Sequence, residues 1–403
     1  MNQCEQPPQS ASNGSDLPYR HLTVLELGHS VAAPFAGQIL ADLGARVVKV
    51  EKPAGDDARG WGPPFIDDTS AVFQALNRNK QSIVCSLRDT EQVDALIRFI
   101  EAEVDVVIQN LRPGQVDELG LNAESLRARK ASLVYCNMGA FGSKGPLKDR
   151  PGYDPLMQAF GGIMSTTGEE GRPSVRVASS IIDMGTGMWA VIAILGALHA
   201  RIATGEGSVV DVSLFETSAT WMSIIAAQAS VTGVSPGRYG SGAASIVPYK
   251  AYTTTDGEVV VAAGSDGLFR KLAGVLGHSE WADDERFRDN RARVLHQAEL
   301  YGLLDPIFET RTTAEWVARM EAAGIPAAPV NTVLQMLQHP QTAALGLLQV
   351  LPGSSLSVLG LPISYNDRRP VPHSASPALG ADTAAILEPY LSAQIKVRNH
   401  VAS

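Results

Sequence analysis

The sequence predicts an α/β protein, with a large domain on an open, doubly wound parallel sheet and a smaller α+β domain. Three observations predict it. Strand-length apolar runs alternate with helical stretches through the first third of the chain, at Leu22–Gly28, Arg46–Glu51, Ser82–Cys85, Asp105–Asn110 and Ser132–Met138. The first two flank AGQILADLGA, with Pro34 near the first helical position and Gly44 after the last, a right-handed strand–helix–strand step of a Rossmann-like sheet. Further on, PYKAYTTTDGEVVVAAG at Pro248–Gly264 alternates and turns at Asp256 and Gly257, a hairpin that opens the second domain.

At 403 residues the chain is long enough for two or three domains, and 45% hydrophobic with 19% charged residues is an ordinary globular composition. We read residues 1–17 as a disordered tail, 18–225 as the large domain, 226–335 as the small domain with its linkers, and 336–403 as a C-terminal segment. A net charge of −9, spread along the chain, disfavours nucleic acid or an acidic membrane as partner, so an anionic ligand needs local donors. Cys4, Cys85 and Cys136 are odd in number and lack metal-ligand spacing, which argues against a disulfide framework or a metal site and for a reducing compartment. The N-terminus has no signal-peptide pattern, and the most apolar stretch, Met188–Ile202, is too short to cross a bilayer. The expectation is a cytoplasmic protein without a membrane partner.

Taken in order, the first turn, Gly28 to Pro34, lacks the second and third glycines of a dinucleotide fingerprint, so a plain βα turn is expected, with Glu51 at the spacing of a ribose acid. A glycine- and proline-rich loop follows at Ala54–Phe65, then a helix over Asp89–Ala102. NLRPG at Asn110–Gly114 leaves a strand end, where ligands of doubly wound sheets bind; alone, Arg112 there reads as a solvated loop charge. The loop from Gly139 to Asp154 is where chemistry would sit. Met184–Ile202 carries no proline and is apolar on every face, which predicts a helix buried nearly all round. Gly205–Met222 reads as strand then helix, and Val231–Ser245 as a linker. The small domain adds helices at Asp266–Leu276, Arg291–Glu309 and Thr313–Ala323, with ADDERFRDNRAR at Ala282–Arg293 as a solvated face and a last helix at Ala381–Leu391.

Asp183 stands out. It precedes Gly185 and Gly187 at the head of the apolar helix, in the N-cap position, where backbone N–H groups and the helix dipole keep a carboxylate ionised. It is either simply a cap or a carboxylate nucleophile, presented beside glycines because an acyl thioester needs bare backbone nearby.

GYDPLMQAFGG at Gly152–Gly162, TTG at Thr166–Gly168 and DMGTG at Asp183–Gly187 together resemble the class III CoA-transferases, the family of formyl-CoA transferase, carnitine CoA-transferase and the α-methylacyl-CoA racemases. The resemblance runs from about Leu22 into the 380s. It implies that Asp183 forms an acyl anhydride, and that coenzyme A is a substrate, with no tightly bound cofactor and no metal. CoA would then lie over Val31 and Ala32, Lys52, Cys85 to Arg88, Asn110, Leu111 and Arg112, and Pro151 to Asp154, with Tyr153 among them. Lys52, Arg88 and Arg112 would serve the phosphates. Glu118 and Pro151 depart from positions where relatives carry Arg or Lys. The resemblance also implies that residues 336–403 return to the large, CoA-binding domain and that the chain forms an interlocked homodimer, through linkers at Val231–Ser245 and Gln335–Gln341.

Three further positions bear on the reaction. Tyr153 replaces the His of the racemases, and a phenol with a pKa of about 10 is a poor acid/base for an α-proton, which favours transferase over racemase. Its other reading is a core aromatic. Val31 and Val72 stand where formyl-CoA transferase has Gln and Tyr, implying an acid larger or more apolar than oxalate. Gly240 and Gly242 correspond to a glycine loop whose N–H groups could serve an oxyanion, and Ala243 and Ala244 replace the His-Pro that follows it in many relatives. The expected function is CoA transfer from an acyl-CoA to a carboxylic acid. The alternatives are a 2-methylacyl-CoA racemase or epimerase, and a non-catalytic acyl-CoA-binding protein.

Overall fold

A computed structural model describes residues 17–391. The tail expected at 1–17, Cys4 and the last residues of the 336–403 segment lie outside them, Leu17 excepted. Two units make up the chain. The larger holds the described residues up to Gly161, Ala178–Trp221, and the described residues from Pro340 on; the smaller holds Gly162–Val177 and Met222–His339. Residues 162–177, within the range expected for the large domain, thus group with the smaller unit.

Six parallel strands form the large unit's sheet: β1 (Thr23–Leu27), β2 (Arg46–Glu51), β3 (Lys80–Val84), β4 (Val106–Gln109), β5 (Val134–Gly139) and β6 (Val209–Ser213). Their order is β3-β2-β1-β4-β5-β6, the doubly wound arrangement that reverses direction between β1 and β4. Alternation along β1 sorts its side chains. Leu25 and Leu27 join Val48, Val50, Ile83 and Val107 in one core with α2 (Thr90–Glu103), which contributes Leu96, Phe99 and Ile100. Two short helices, Thr383–Ile386 and Glu388–Leu391, replace the single one expected at Ala381–Leu391, and Ile386 with Leu387 at their junction closes the same core.

The odd residue on β1 is Glu26, which faces away from that core toward α1 (Ala32–Asp42), where a side chain at Gly37 would stand 2.0 Å from its carboxylate. Lys49 on the neighbouring strand donates to one oxygen of Glu26 (2.9 Å) and Lys80 to the other (2.8 Å), with Lys49 also on Asp56 (2.9 Å). All four groups are buried. Such charges persist in a core only when paired on every side.

α3 (Asp154–Phe160), α4 (Ile181–Thr204) and α5 (Leu214–Trp221) pack together on the α1 side. At 24 residues α4 is longer than the sequence pattern indicated and meets the length and apolarity of a membrane span. In the fold it packs on α1, with Gly187 where any Cβ would come within 2.8 Å of the Ala32 carbonyl. The expectation of burial all round is corrected: Met188, Trp189 and Ile192 are exposed on one face.

The smaller unit has a three-stranded antiparallel sheet of β7 (Tyr249–Thr253), β8 (Glu258–Ala262) and β9 (Ala327–Pro329), ordered β9-β8-β7. Phe269, Leu272, Phe287, Leu300, Leu304, Phe308 and Trp316 fill its core. The helix expected over Arg291–Glu309 is two, Asn290–Leu295 and Gln297–Phe308, parted at His296. Arg293, assigned to a solvated face, is fully buried. Its guanidinium donates to the carbonyls of Val247, Phe287 and Gly264 and to Asp266, so the donors that would have gone to water go to loop backbone.

Candidate active site

The strand ends of β1 to β6 open on a cavity of about 1250 Å³ within the large unit. That exceeds the ~300–1,000 Å³ of most small-molecule pockets, so it admits a ligand longer than an ordinary metabolite. Of the expected site residues, Ala32, Lys52, Cys85 and Arg88 line it from the first three strand ends. Asn110, Leu111, Arg112, Tyr153 and Asp183 line it from the other side. Tyr153, 58% exposed, is no core aromatic.

Corrections apply to the rest. Val31 and Asp154 are buried and off the cavity wall, and Val72 lies on the short helix Ala71–Asn77, also off the wall. Neither valine bears on substrate size through this cavity. Gly240 and Gly242 belong to the smaller unit, where their N–H groups are already donated to the carbonyls of Gly168 (2.9 Å) and Tyr239 (2.8 Å), so neither is free for an oxyanion.

Asn110 is structural as well as cavity-lining: its Oδ1 accepts from the His29 N–H and its Nδ2 donates to the His29 carbonyl, 3.0 Å each. The turn is held from below too, with Lys49 on the Gly28 carbonyl (2.8 Å) and Asp56 accepting from the Ser30 N–H (3.2 Å). Ser30 has φ 69°, a left-handed conformation that a non-glycine residue keeps only when its surroundings enforce it. Burial lowers the His29 pKa, and the ring Nδ1 sits 2.9 Å from the Ser30 hydroxyl. Glu51, at the spacing of a ribose acid, is occupied: Arg59 donates to both its oxygens (2.8 and 2.7 Å) and Ser82 to one.

Sequence reading missed the Glu26, Lys49, Lys80 and Asp56 network, although charged residues inside otherwise apolar strand runs were a visible signal. It also missed Lys148 and Arg150, two exposed cations that line the same cavity as Arg88 and Arg112. Lys52 is already paired with Asp57 at 2.5 Å.

Asp183 is the third residue of α4, not its N-cap; Ser180 takes that position and its side chain caps nothing. The glycines that follow serve helix packing: a Cβ on Gly185 would lie 2.9 Å from the Trp221 indole nitrogen, as one on Gly187 would meet Ala32. Burial first, and the neighbouring carboxylate of Asp154 second, push the Asp183 pKa up to about 7, so the expectation of a carboxylate kept ionised by a cap is reversed. Among the described residues, no cation pairs with it. An unpaired acid on the wall of a large cleft is suited to accept or release a proton, or to attack a carbonyl, near neutral pH. No cluster of three or more metal-ligating side chains occurs among the described residues.

The model of CoA-transferase family III matches residues 19–383. The mouse succinyl-CoA:glutarate CoA-transferase is 34% identical over 388 residues, 95% of this chain and 88% of that protein. The succinate–glutarate CoA-transferase of Agrobacterium fabrum is 35% identical, covering 93% and 97%. A CAIB/BAIF family protein from Brucella suis, 40% identical, superposes with a TM-score of 0.82 over 92% of this chain and 98% of that one.

Proposed function

The chain belongs to CoA-transferase family III and is an acyl-CoA:carboxylate CoA-transferase, and from that premise we propose that Asp183 carries the acyl group. One observation carries the assignment: Asp183 is an unpaired carboxylate on the cavity wall with a pKa near neutrality. Its oxygen attacks the thioester carbonyl of the donor acyl-CoA, the C–S bond breaks, and the thiolate leaves an aspartyl-acyl anhydride. The thiolate then attacks the aspartyl carbonyl, which expels the donor acid and forms an aspartyl-CoA thioester. The acceptor carboxylate opens that thioester to a second anhydride, and the thiolate takes the new acyl group, returning Asp183 as a carboxylate. Every step is a displacement at a carbonyl, and no tightly bound cofactor enters it.

Arg88, Arg112, Lys148 and Arg150 serve the CoA phosphates from the cavity rim. Tyr153 lies exposed on the same wall and lacks the ready proton chemistry a racemase needs. Succinyl-CoA and a glutarate-sized dicarboxylate are the first substrates to test, on the strength of the relatives' names. A homodimer covers the exposed face of α4, and the buried free thiols Cys85 and Cys136 suit a reducing, cytoplasmic setting.

The test is a panel of acyl-CoA donors against mono- and dicarboxylates, run beside exchange of the α-hydrogen with deuterated water. Transfer dependent on an acceptor acid supports the proposal. Acceptor-independent α-hydrogen exchange would establish the racemase instead, and binding without either would leave a carrier.

A further inference from the structure

α4 begins without a cap of its own, since Ser180 has a backbone outside the extended region and makes no side-chain bond to the first N–H groups. The missing acceptor comes from another helix. Asp154 Oδ2 accepts from the Ile182 N–H at 2.7 Å and from the Asp183 N–H at 3.2 Å. Its other oxygen accepts from Gln158 Nε2 at 2.6 Å, and the residue is 2% exposed. Three donors therefore converge on a buried carboxylate that contacts the main chain of Asp183.

We propose that Asp154 is a positioning residue for Asp183: it supplies from α3 the cap that α4 lacks, and it holds a fixed negative charge beside the carboxylate that must react. The first part fixes where the Asp183 side chain starts, because its own N–H is tied to Asp154. The second part acts on the chemistry. Repulsion between the two carboxylates destabilises ionised Asp183 in the free enzyme and vanishes once Asp183 is acylated, so it favours both covalent intermediates. This rests on the reading of Asp183 as acyl carrier.

Charges from the other elements packed on α4 are otherwise engaged or distant. On α5, Glu216 accepts from Ser213 (2.6 Å), and on β6, Asp211 accepts from Asn137 (2.9 Å). α1 brings only Asp42, at its far end and bound by Arg78 (2.6 Å). β5 brings Tyr135, bonded to the Leu121 carbonyl (2.8 Å), and Cys136, both buried. Asp154 is the charge that couples to Asp183.

The experiment is a titration of the full chain labelled with 13C at the aspartate carboxyls, in wild type, Asp154→Asn, Asp154→Glu and Asp183→Asn, the last assigning the resonance. Wild-type Asp183 titrates near pH 7; in Asp154→Asn, which keeps an acceptor but no charge, the midpoint falls by about one unit. Asp154→Glu keeps the high midpoint. The acid limb of kcat/KM follows the same shift, whereas a merely structural role lowers activity at all pH values and leaves the limb in place. An unchanged Asp183 midpoint in Asp154→Asn overturns the proposal. Should that variant not fold, Asp154→Ser, which keeps an oxygen acceptor for the first N–H groups of α4 without a charge, decides: an Asp183 midpoint equal to that of wild type overturns the proposal. Since the titration reads proton binding rather than turnover, a failed transferase assay with an intact shift refutes only the functional reading.

Discussion

Glu26 and Asp183 are carboxylates of the same unit, and the company each keeps could hardly differ more. Glu26, at the centre of the sheet, has a lysine on each oxygen and no access to solvent. Asp183, at the head of α4, has no cation paired with it among the described residues and a second acid as its neighbour. A charge that holds a fold together is neutralised where it lies, because an unpaired buried charge costs several kcal/mol. A charge kept for chemistry is left unpaired, and the surrounding structure bears the strain.

Four changes break or sharpen that contrast. The largest effect belongs to Asp183→Ala, expected to lower kcat/KM by at least about 10³-fold with the folded state intact by circular dichroism. A loss of less than tenfold would move the reaction elsewhere. Next, Lys49→Met leaves buried Asp56 without its cation and Glu26 with Lys80 alone, and should cost about 3–5 kcal/mol in denaturant unfolding. Whatever activity survives in it should keep its pH profile, since the network does not touch Asp183.

The third change concerns stability against pH. The folded-state pKa of Asp183 is raised from 3.8 to about 7, so the protonated form's contribution to stability is complete below the ordinary carboxylate range and is lost as pH rises through 7. Asp183→Asn, which resembles the protonated form, should therefore be more stable than wild type at pH 8 by roughly 1–2 kcal/mol, less than the nominal value because cavity water screens the site. The gap should narrow progressively below pH 7. A gap constant from pH 5 to pH 8 would show that Asp183 is not strained by its charge. The smallest effect is that of Arg112→Ala, an exposed cation on the cavity, which should raise KM for the acyl-CoA about three- to tenfold with kcat little changed.

How much of this was legible differs between the same two regions. The sheet was readable because apolar runs, Pro34 and Gly44 are local signals, and the order of the first strands follows from right-handed connections. Asp183 was readable as the candidate for the reactive position through its setting in DMGTG, yet its environment was not. Nothing near it in sequence announces Asp154, 29 positions earlier, as its cap and its like-charged neighbour. Still longer separations, 81 and 54 positions, hid the clamp of Asn110 on His29 and the meeting of Lys80 with Glu26. Gly185 and Gly187 were read as room for substrate because a sequence cannot show Trp221 and Ala32 pressing on them.

The central claim, that the acyl group passes through Asp183, is tested most directly by quenching enzyme mixed with succinyl-CoA, without acceptor acid, and mapping the digest by mass spectrometry. The expected product is a peptide containing Asp183 that carries coenzyme A less one water, discharged by hydroxylamine and missing in Asp183→Asn. An adduct on any other residue, or turnover with Asp183 never modified, would contradict it.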